Sequence, residues 1–151
     1  MKTKHAGFTL VELIVVIVIL GILAATAIPR FADNRKDARI AALNGVAASI
    51  HSAVAMAQGR YLVTQTSPVT MLDGTTVAVD TTGSPASGLP TAATAGICAG
   101  INLTGFTCSA TGQFDFSPAI TNCYIAYTHT AGTGTYAVSP TSTGSANIAG
   151  C

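Results

Sequence analysis

The first thirty residues of this 151-residue chain are dominated by one long apolar run. Sixteen consecutive uncharged residues lie between Leu13 and Ile28, and the span from Phe8 to Pro29 contains a single charged residue, Glu12. A span of about 22 residues is long enough to cross a bilayer as an α-helix. The pattern therefore predicts a membrane-spanning helix in which Glu12 is the one charged position.

Beyond Pro29 the apolar positions recur at helical spacing. Six of them are separated by steps of 3, 4, 3, 4 and 3 residues: Ile40, Leu43, Ala47, Ile50, Val54 and Ala57. This spacing places the six side chains on one face of an amphipathic helix. Gly59 is a typical C-terminal stop. We predict one helix from Phe8 to Gln58, apolar all round in its first half and striped in its second half.

From Arg60 onward the chain is rich in threonine, serine and glycine, and turn residues recur at short intervals. This composition is typical of short β-strands. The predicted strands are Thr75–Val79, Asn102–Cys108, Gln113–Phe116, Cys123–Thr130 and Thr135–Ser139. Three or four of them can form an antiparallel meander that packs on the helix stripe, which is an α+β fold. The segment Thr81–Thr94 is predicted to be an irregular surface loop.

The cysteines indicate the compartment of this β-rich part. All four follow the apolar run: Cys98, Cys108, Cys123 and Cys151. An even number of cysteines in an exported domain indicates disulfides in an oxidising compartment. The sequence leaves three connectivities open, of which Cys98 with Cys108 and Cys123 with Cys151 close the shortest loops. The sequence contains neither a C-x-x-C pair nor histidines at the spacing of a zinc finger, so a zinc site is not predicted.

Charge and motifs do not predict catalysis. The net charge is +1, which gives no argument for nucleic-acid binding. His51 and His129 have no nucleophile arrangement around them, so structural or solvent roles are predicted. Asp73, Asp80 and Asp115 are too scattered for calcium, which takes six or more oxygen ligands. We predict no catalytic, cofactor or metal site and no enzyme activity.

The amino terminus also fits two ordinary kinds of segment, a secretory signal and a plain membrane anchor. A secretory signal would use Lys2 and Lys4 as its basic start and Ala25–Ala27 as an A-x-A cleavage site. Glu12 at the edge of the hydrophobic region and Pro29 just beyond the cut argue against that signal. A plain membrane anchor is the other explanation, and it leaves Glu12 without a role.

The segment Gly7–Phe31, which reads GFTLVELIVVIVILGILAATAIPRF, resembles the class III leader junction and first helix of type IV prepilins. The resemblance covers about 25 residues and implies the type IV pilin fold. It also implies that a prepilin peptidase cuts between Gly7 and Phe8 and methylates the new amine of Phe8. One departure is that His5 and Ala6, instead of a lysine or arginine, precede Gly7.

The same resemblance assigns roles within the apolar helix. It implies that Glu12 meets the amino-terminal amine of Phe8 in a neighbouring subunit. A carboxylate costs up to about 3 kcal/mol at the bilayer centre, so a partner for Glu12 is expected on physical grounds as well. Gly21 and Pro29 carry helix penalties of roughly 1 and 3 kcal/mol. The resemblance implies that the stretch between them can lose its helix in a filament.

The prediction is therefore a structural subunit that polymerises with itself into an extracellular type IV pilus for adhesion, motility or related surface functions. Its parts would be a leader (1–7), a transmembrane and filament-core half-helix (8–29), an amphipathic half-helix (30–59) and a disulfide-bonded β-rich head (60–151). Expected partners are prepilin peptidase, the pilus assembly machinery and, before assembly, the inner membrane.

One further resemblance and two alternative classes of protein remain. The stretch GLPTAATAGI and the cysteine pattern also resemble mannose-sensitive haemagglutinin-type pilins. The main alternative is a pseudopilin of a type II secretion system, which shares the same start. Family pseudopilins of the major class carry acidic calcium ligands in a late loop and lack cysteine pairs, and no acidic residue follows Asp115 here. An anchored periplasmic binding module is a more distant alternative.

Overall fold

The computed structural model describes residues 8–83, 86–139 and 148–151, except for the side chains of residues 28–33. The predicted leader, residues 1–7, lies outside these ranges. Residue contacts divide the chain into two compact units, with the boundary between Ala38 and Arg39.

One helix, α1, extends over Leu10–Thr64, which is 55 residues. The predicted end at Gln58, before Gly59, was wrong, because the helix continues for another turn and a half. The cause is Tyr61, which is only 5% exposed and packs in one apolar cluster with Ala57. Burial of this ring outweighs the helix penalty of about 1 kcal/mol that a glycine carries.

Two windows of α1 are long and apolar enough to cross a membrane by length and composition. Leu10–Ala27 has a mean hydropathy of 2.8 and none of it is buried within the protein. Asn34–Thr64 has a mean hydropathy of 1.5 and is one-third buried. The second window owes its apolar character to a face that packs in the head, so the first window is the candidate anchor.

Six strands form two antiparallel sheets. The smaller sheet pairs β1 (Val69–Thr70) with β2 (Thr76–Val77). The larger sheet has the order β3 (Phe106–Cys108), β4 (Gln113–Phe116), β5 (Tyr124–Thr130) and β6 (Thr135–Ser139). The α+β fold and the four-stranded meander are confirmed. The bounds of β4 and β6 are those predicted, β2, β3 and β5 are shorter than predicted, and β1 was not predicted.

The core of the head lies between α1 and the larger sheet. The helix contributes Leu43, Val46, Ile50, Ala53 and Val54, and the sheet contributes Phe114, Ile125, Tyr127 and Val138. Burial of each large apolar side chain is worth about 1.5–3 kcal/mol. The Tyr127 hydroxyl donates a hydrogen bond of 2.7 Å to the carbonyl oxygen of Pro90, and burial raises the pKa of this phenol. The predicted stripe on α1 is therefore the face that meets the sheet.

Two disulfides close the head. Cys98 bonds to Cys108, with their Cα atoms 5.7 Å apart, and Cys123 bonds to Cys151, with their Cα atoms 4.9 Å apart. These are the two pairs that close the shortest loops. The guanidinium of Arg39 donates a hydrogen bond of 2.9 Å to the carbonyl oxygen of Cys151. Residue 151 is thereby fixed both to the start of β5 and to α1.

Candidate functional site

The polar site at the start of α1 is built by Thr9 and Glu12. The backbone N–H of Thr9 donates to Oε2 of Glu12 at 2.9 Å, and the Thr9 hydroxyl donates to the same oxygen at 2.7 Å. In return, the Glu12 N–H donates to the Thr9 hydroxyl oxygen at 3.3 Å. This reciprocal arrangement is a capping box, in which an N-cap threonine and an acid three residues later satisfy each other's free donors.

Glu12 therefore has a partner within its own chain. The carboxylate also lies in the first turn, where the helix dipole favours a negative charge. Both side-chain contacts use Oε2, and among the described residues Oε1 accepts no hydrogen bond. Glu12 was predicted from the sequence and Thr9 was not, although the pattern T-x-x-E before an apolar run is a known sequence signal for this cap. One oxygen holds the cap and the other remains open to a further donor.

The surface around this site is apolar and uncovered. Phe8 is 82% exposed, and the large apolar side chains between Leu10 and Leu23 are 46–72% exposed. An apolar area this long marks a membrane or protein contact. Glu12 is the single charged side chain on this surface, so it offers the one charged contact in an otherwise apolar region.

The predicted melting segment from Gly21 to Pro29 is helical in this structure. A Cβ added at Gly21 would meet nothing within 4 Å, so this glycine leaves room for another helix to approach closely. The Thr26 hydroxyl donates to the carbonyl oxygen of Leu23 at 3.0 Å, within the same helix. The loss of this helix in a filament stays a prediction.

The three candidate aspartates serve separate local contacts. Asp73 accepts the N–H of Thr75 at 2.9 Å, and Asp115 accepts the side-chain amide of Gln113 at 2.9 Å. Asp80 lies elsewhere and is 5% exposed. No group of three or more histidine, cysteine or acidic side chains able to hold a metal ion occurs within the described part of the chain.

Asp80 joins two loops of the head. One oxygen accepts the N–H and hydroxyl of Thr82, and the other accepts the Gly132 N–H at 2.8 Å and the Ser87 hydroxyl at 3.3 Å. Burial acts to raise the pKa of this carboxyl, but the hydrogen bonds to its charged form outweigh burial and lower the pKa to about 2. This arrangement is a structural clamp, and it was not predicted from the sequence.

The two histidines in the described part of the chain have structural contacts. Nδ1 of His51 lies 2.9 Å from the Tyr136 hydroxyl, which connects α1 to β6. Nδ1 of His129 accepts the N–H of Ala92 at 3.2 Å. Neither contact includes a nucleophile, and both join neighbouring elements of the head.

Comparison with known proteins places the first residues in a defined class. The prokaryotic N-terminal methylation motif matches residues 2–28. The type IV narrow pilus major component PilA5 of Thermus thermophilus is 53% identical over 54 residues, which are 36% of this chain and 47% of that protein. The type IV major pilin protein PilE of Neisseria gonorrhoeae is 50% identical over 40 residues, which are 26% of this chain and 24% of that protein.

A secretion-system protein is also similar. The type II secretion system core protein G of Pseudomonas aeruginosa is 38% identical over 55 residues, which are 36% of this chain and 39% of that protein. The chain thus spans less than half the length of each of these three curated relatives. No solved structure gives a significant match.

A methylation motif, an exposed apolar helix with one acid near its start, and an α+β head with disulfides define the class of pilin-like proteins that begin with this helix. The predicted resemblance of this amino terminus to type IV pilins is confirmed, because the methylation motif covers residues 2–28 and two pilins match the chain over 54 and 40 residues.

Proposed function

We propose that this chain is a structural subunit, a major or major-like pilin, that polymerises into an extracellular type IV pilus. The observation that carries the proposal is the order of features in one helix: a methylation motif over residues 2–28 and an uncovered apolar surface in which Glu12 is the one charge. Such a surface needs lipid before assembly and neighbouring helices afterwards. The precursor is anchored in the inner membrane by residues 8–29, and the fibre serves adhesion, motility or a related surface function.

Processing creates the second half of the assembly contact. Cleavage between Gly7 and Phe8 by prepilin peptidase converts an amide into an α-amine. Such an amine is protonated and charged at neutral pH, and methylation keeps this charge. Oε1 of Glu12 is open to the amine of a neighbouring subunit while Oε2 holds Thr9. A pair about 4 Å apart gains about 4 kcal/mol at an effective dielectric of 20, part of which is offset by desolvation. Since lipid and helix surfaces are equally apolar, this contact sets the register between subunits.

The stretch between Gly21 and Pro29 gives the fibre a way to lengthen. Eight steps span about 12 Å as a helix and up to about 26 Å when extended. A filament under tension can therefore extend by local loss of helix between these two residues, since each of them carries a helix penalty. A filament map with unbroken helical density from Gly21 to Pro29 under load would contradict this part of the proposal.

A pseudopilin of a type II secretion system is the second candidate, and the similarity to core protein G supports it. The identity to PilA5 is higher over nearly the same length. The two disulfides of the head also favour a pilin, because cysteine pairs are absent from the major class of pseudopilins. Outgrowth of surface fibres from a strain with this chain as its sole pilin separates the two candidates.

The first test is mass spectrometry of the mature amino terminus. A methylated Phe8 is expected, because the methylation motif over residues 2–28 supports processing near the start of the chain and we propose the cut after Gly7. A mature chain that starts at Ile28 would show ordinary signal-peptide cleavage and overturn the filament proposal, because the apolar helix would be lost.

The second test separates the charge of Glu12 from its capping role. Glu12→Gln keeps an oxygen that accepts the Thr9 donors, whereas Glu12→Ala removes both the cap and the charge. We expect both variants to be processed and both to assemble poorly. Thr9→Val removes only the hydroxyl part of the cap, so it is expected to assemble better than either. Normal fibres from Glu12→Gln would contradict the pairing with the amine.

A further inference from the structure

An open groove of about 450 Å³ lies between the end of α1 and the connection between β1 and β2. The helix side includes Met56, Gly59 and Arg60, and the strand side includes Met71, Leu72 and Asp73. We call these six residues the hairpin groove. All six lie in the unit that begins at Arg39.

The hairpin groove has both an apolar knob and an apolar recess. Leu72 is 93% exposed at its edge, and Met56 is 56% exposed. Beyond Leu23, the large apolar side chains that the described part of the chain exposes number five: Met56, Leu62, Val63, Leu72 and Tyr136. Two of the five therefore line one groove, and a projecting leucine beside an apolar recess is a feature of contact surfaces.

The groove also holds opposite charges in a part of the chain that has few. After Arg39 the sequence contains four charged side chains: Arg60, Asp73, Asp80 and Asp115. Asp80 is buried in its clamp, so two of the three others line the hairpin groove. Among the described residues, neither Arg60 nor Asp73 forms an ion pair, and Asp73 accepts only a local N–H from Thr75.

A surface with one knob, one recess, one cation and one anion complements itself. In a two-fold contact the same patch is used by both copies, so a pair of different residues is formed twice. We propose that the hairpin groove binds the hairpin groove of a second copy of this chain, with Arg60 of each copy facing Asp73 of the other and Leu72 of each entering the recess of the other.

The size of the groove indicates where this contact operates. A stable isolated interface uses about 20–30 residues on each side, far more than line this groove. A single contact is therefore weak, but it repeats in every subunit of a fibre, and linked weak contacts add to a strong one. Subunits along one helical fibre meet through unlike surfaces, whereas this two-fold contact uses the same surface twice, so the second copy belongs to a neighbouring fibre. The contact then bundles fibres side by side. This inference rests on the proposed fibre function.

Charge reversal tests the inference on fibres of the full-length protein, observed by electron microscopy and sedimentation. Arg60→Asp fibres carry two acidic groups per groove and Asp73→Arg fibres carry two basic groups, so each kind alone is expected to stay unbundled. A mixture of the two kinds is expected to bundle, as is the double variant Arg60→Asp/Asp73→Arg. Single variants that bundle like the unaltered protein would overturn the inference, as would a mixture that does not bundle.

Matched variants exclude net charge and misfolding as explanations. Lys36→Asp and Asp37→Arg make the same changes of net charge on the exposed start of the amphipathic helix and are expected to leave bundling unchanged. Gly59→Leu fills the recess at a position where an added Cβ meets nothing within 4 Å, so it is expected to abolish bundles without harming the fold. Isolated fibres in the single variants mean that assembly is intact. Absence of fibres in the unaltered protein contradicts the proposed function instead.

Discussion

Asp80 is the one buried charged side chain in the described part of the chain. Its carboxylate receives hydrogen bonds from Thr82, Ser87 and Gly132, so its charge is compensated without a cation. A buried carboxylate that accepts several N–H and O–H groups is stabilised in its ionised form. The side chain therefore contributes to stability as an anion, and this contribution depends on pH.

We predict that Asp80→Asn destabilises the head by about 2 kcal/mol at pH 7, since an asparagine cannot accept the Gly132 N–H while it also satisfies Thr82. In the unaltered protein the pKa is lowered from 3.8 to about 2. The stabilisation is therefore complete above about pH 4 and is lost as pH falls toward 2. Urea unfolding of both proteins at pH 7 and pH 2.5 measures this, and the difference between them is expected to shrink at the lower pH.

Asp73→Asn is the matched control for this experiment. Asp73 is exposed and accepts one local N–H from Thr75, a bond that an asparagine oxygen can keep. We expect its unfolding free energy to stay within about 0.5 kcal/mol of the unaltered protein. An equal loss in both variants would mean that the Asp80 clamp adds nothing specific.

Distance along the sequence decides which of these residues could be predicted. Thr9 and Glu12 are three positions apart, so their capping box can be recognised from the local sequence alone. Asp80 and Gly132 are 52 positions apart, and their hydrogen bond exists only because folding brings two loops together. A single aspartate before two threonines carries no local sign of that bond.

At the scale of elements, the end of α1 shows tertiary packing overriding a local signal. Gly59 favours a stop, but Tyr61 lies beyond it with its ring buried against Val69 and Val77. The chain leaves the helix at Gln65, whose φ of 54° is left-handed and whose N–H donates to the carbonyl oxygen of Tyr61 at 2.8 Å. Glycine or asparagine usually occupies such a position, so the sequence marked the stop at the wrong residue.

Glycine substitutions at two positions near Tyr61 should have opposite effects. At Gly59 an added Cβ meets nothing within 4 Å, so Gly59→Ala is expected to stabilise the head by up to about 1 kcal/mol. At Gly88 the added Cβ would overlap the ring of Tyr61, at a φ of +65°, so Gly88→Ala is expected to destabilise the head. Thermal unfolding of the two variants measures both effects. A stabilising Gly88→Ala would contradict the close packing of this loop on the helix.

At the scale of the whole molecule, elements with a periodic sequence pattern were predictable, whereas the short strand β1 and the pairing of the cysteines were not. The stripe from Leu43 to Ala57 and the alternation in β5 follow directly from side-chain periodicity, because one face of each element has to be buried. The two-residue strand β1 has too few positions for any periodicity. The pairing of four cysteines depends on which loops end close together, and the sequence left three pairings open.

The two disulfides should contribute unequally to the stability of the head. Cys123 and Cys151 are 28 positions apart, and Cys98 and Cys108 are 10 apart. Loop-closure entropy then gives about 4 kcal/mol for the longer loop and about 3 kcal/mol for the shorter one. Replacement of each pair by alanine, followed by urea unfolding, tests this order.

The loss of stability at Cys123 and Cys151 is expected to be the larger for a second reason. Arg39 donates to the carbonyl oxygen of Cys151 and would lose a fixed acceptor. Arg39→Ala in a protein that already lacks this disulfide should cost less than the same change in the intact protein. Equal costs in both backgrounds would show that the bond and the guanidinium act independently.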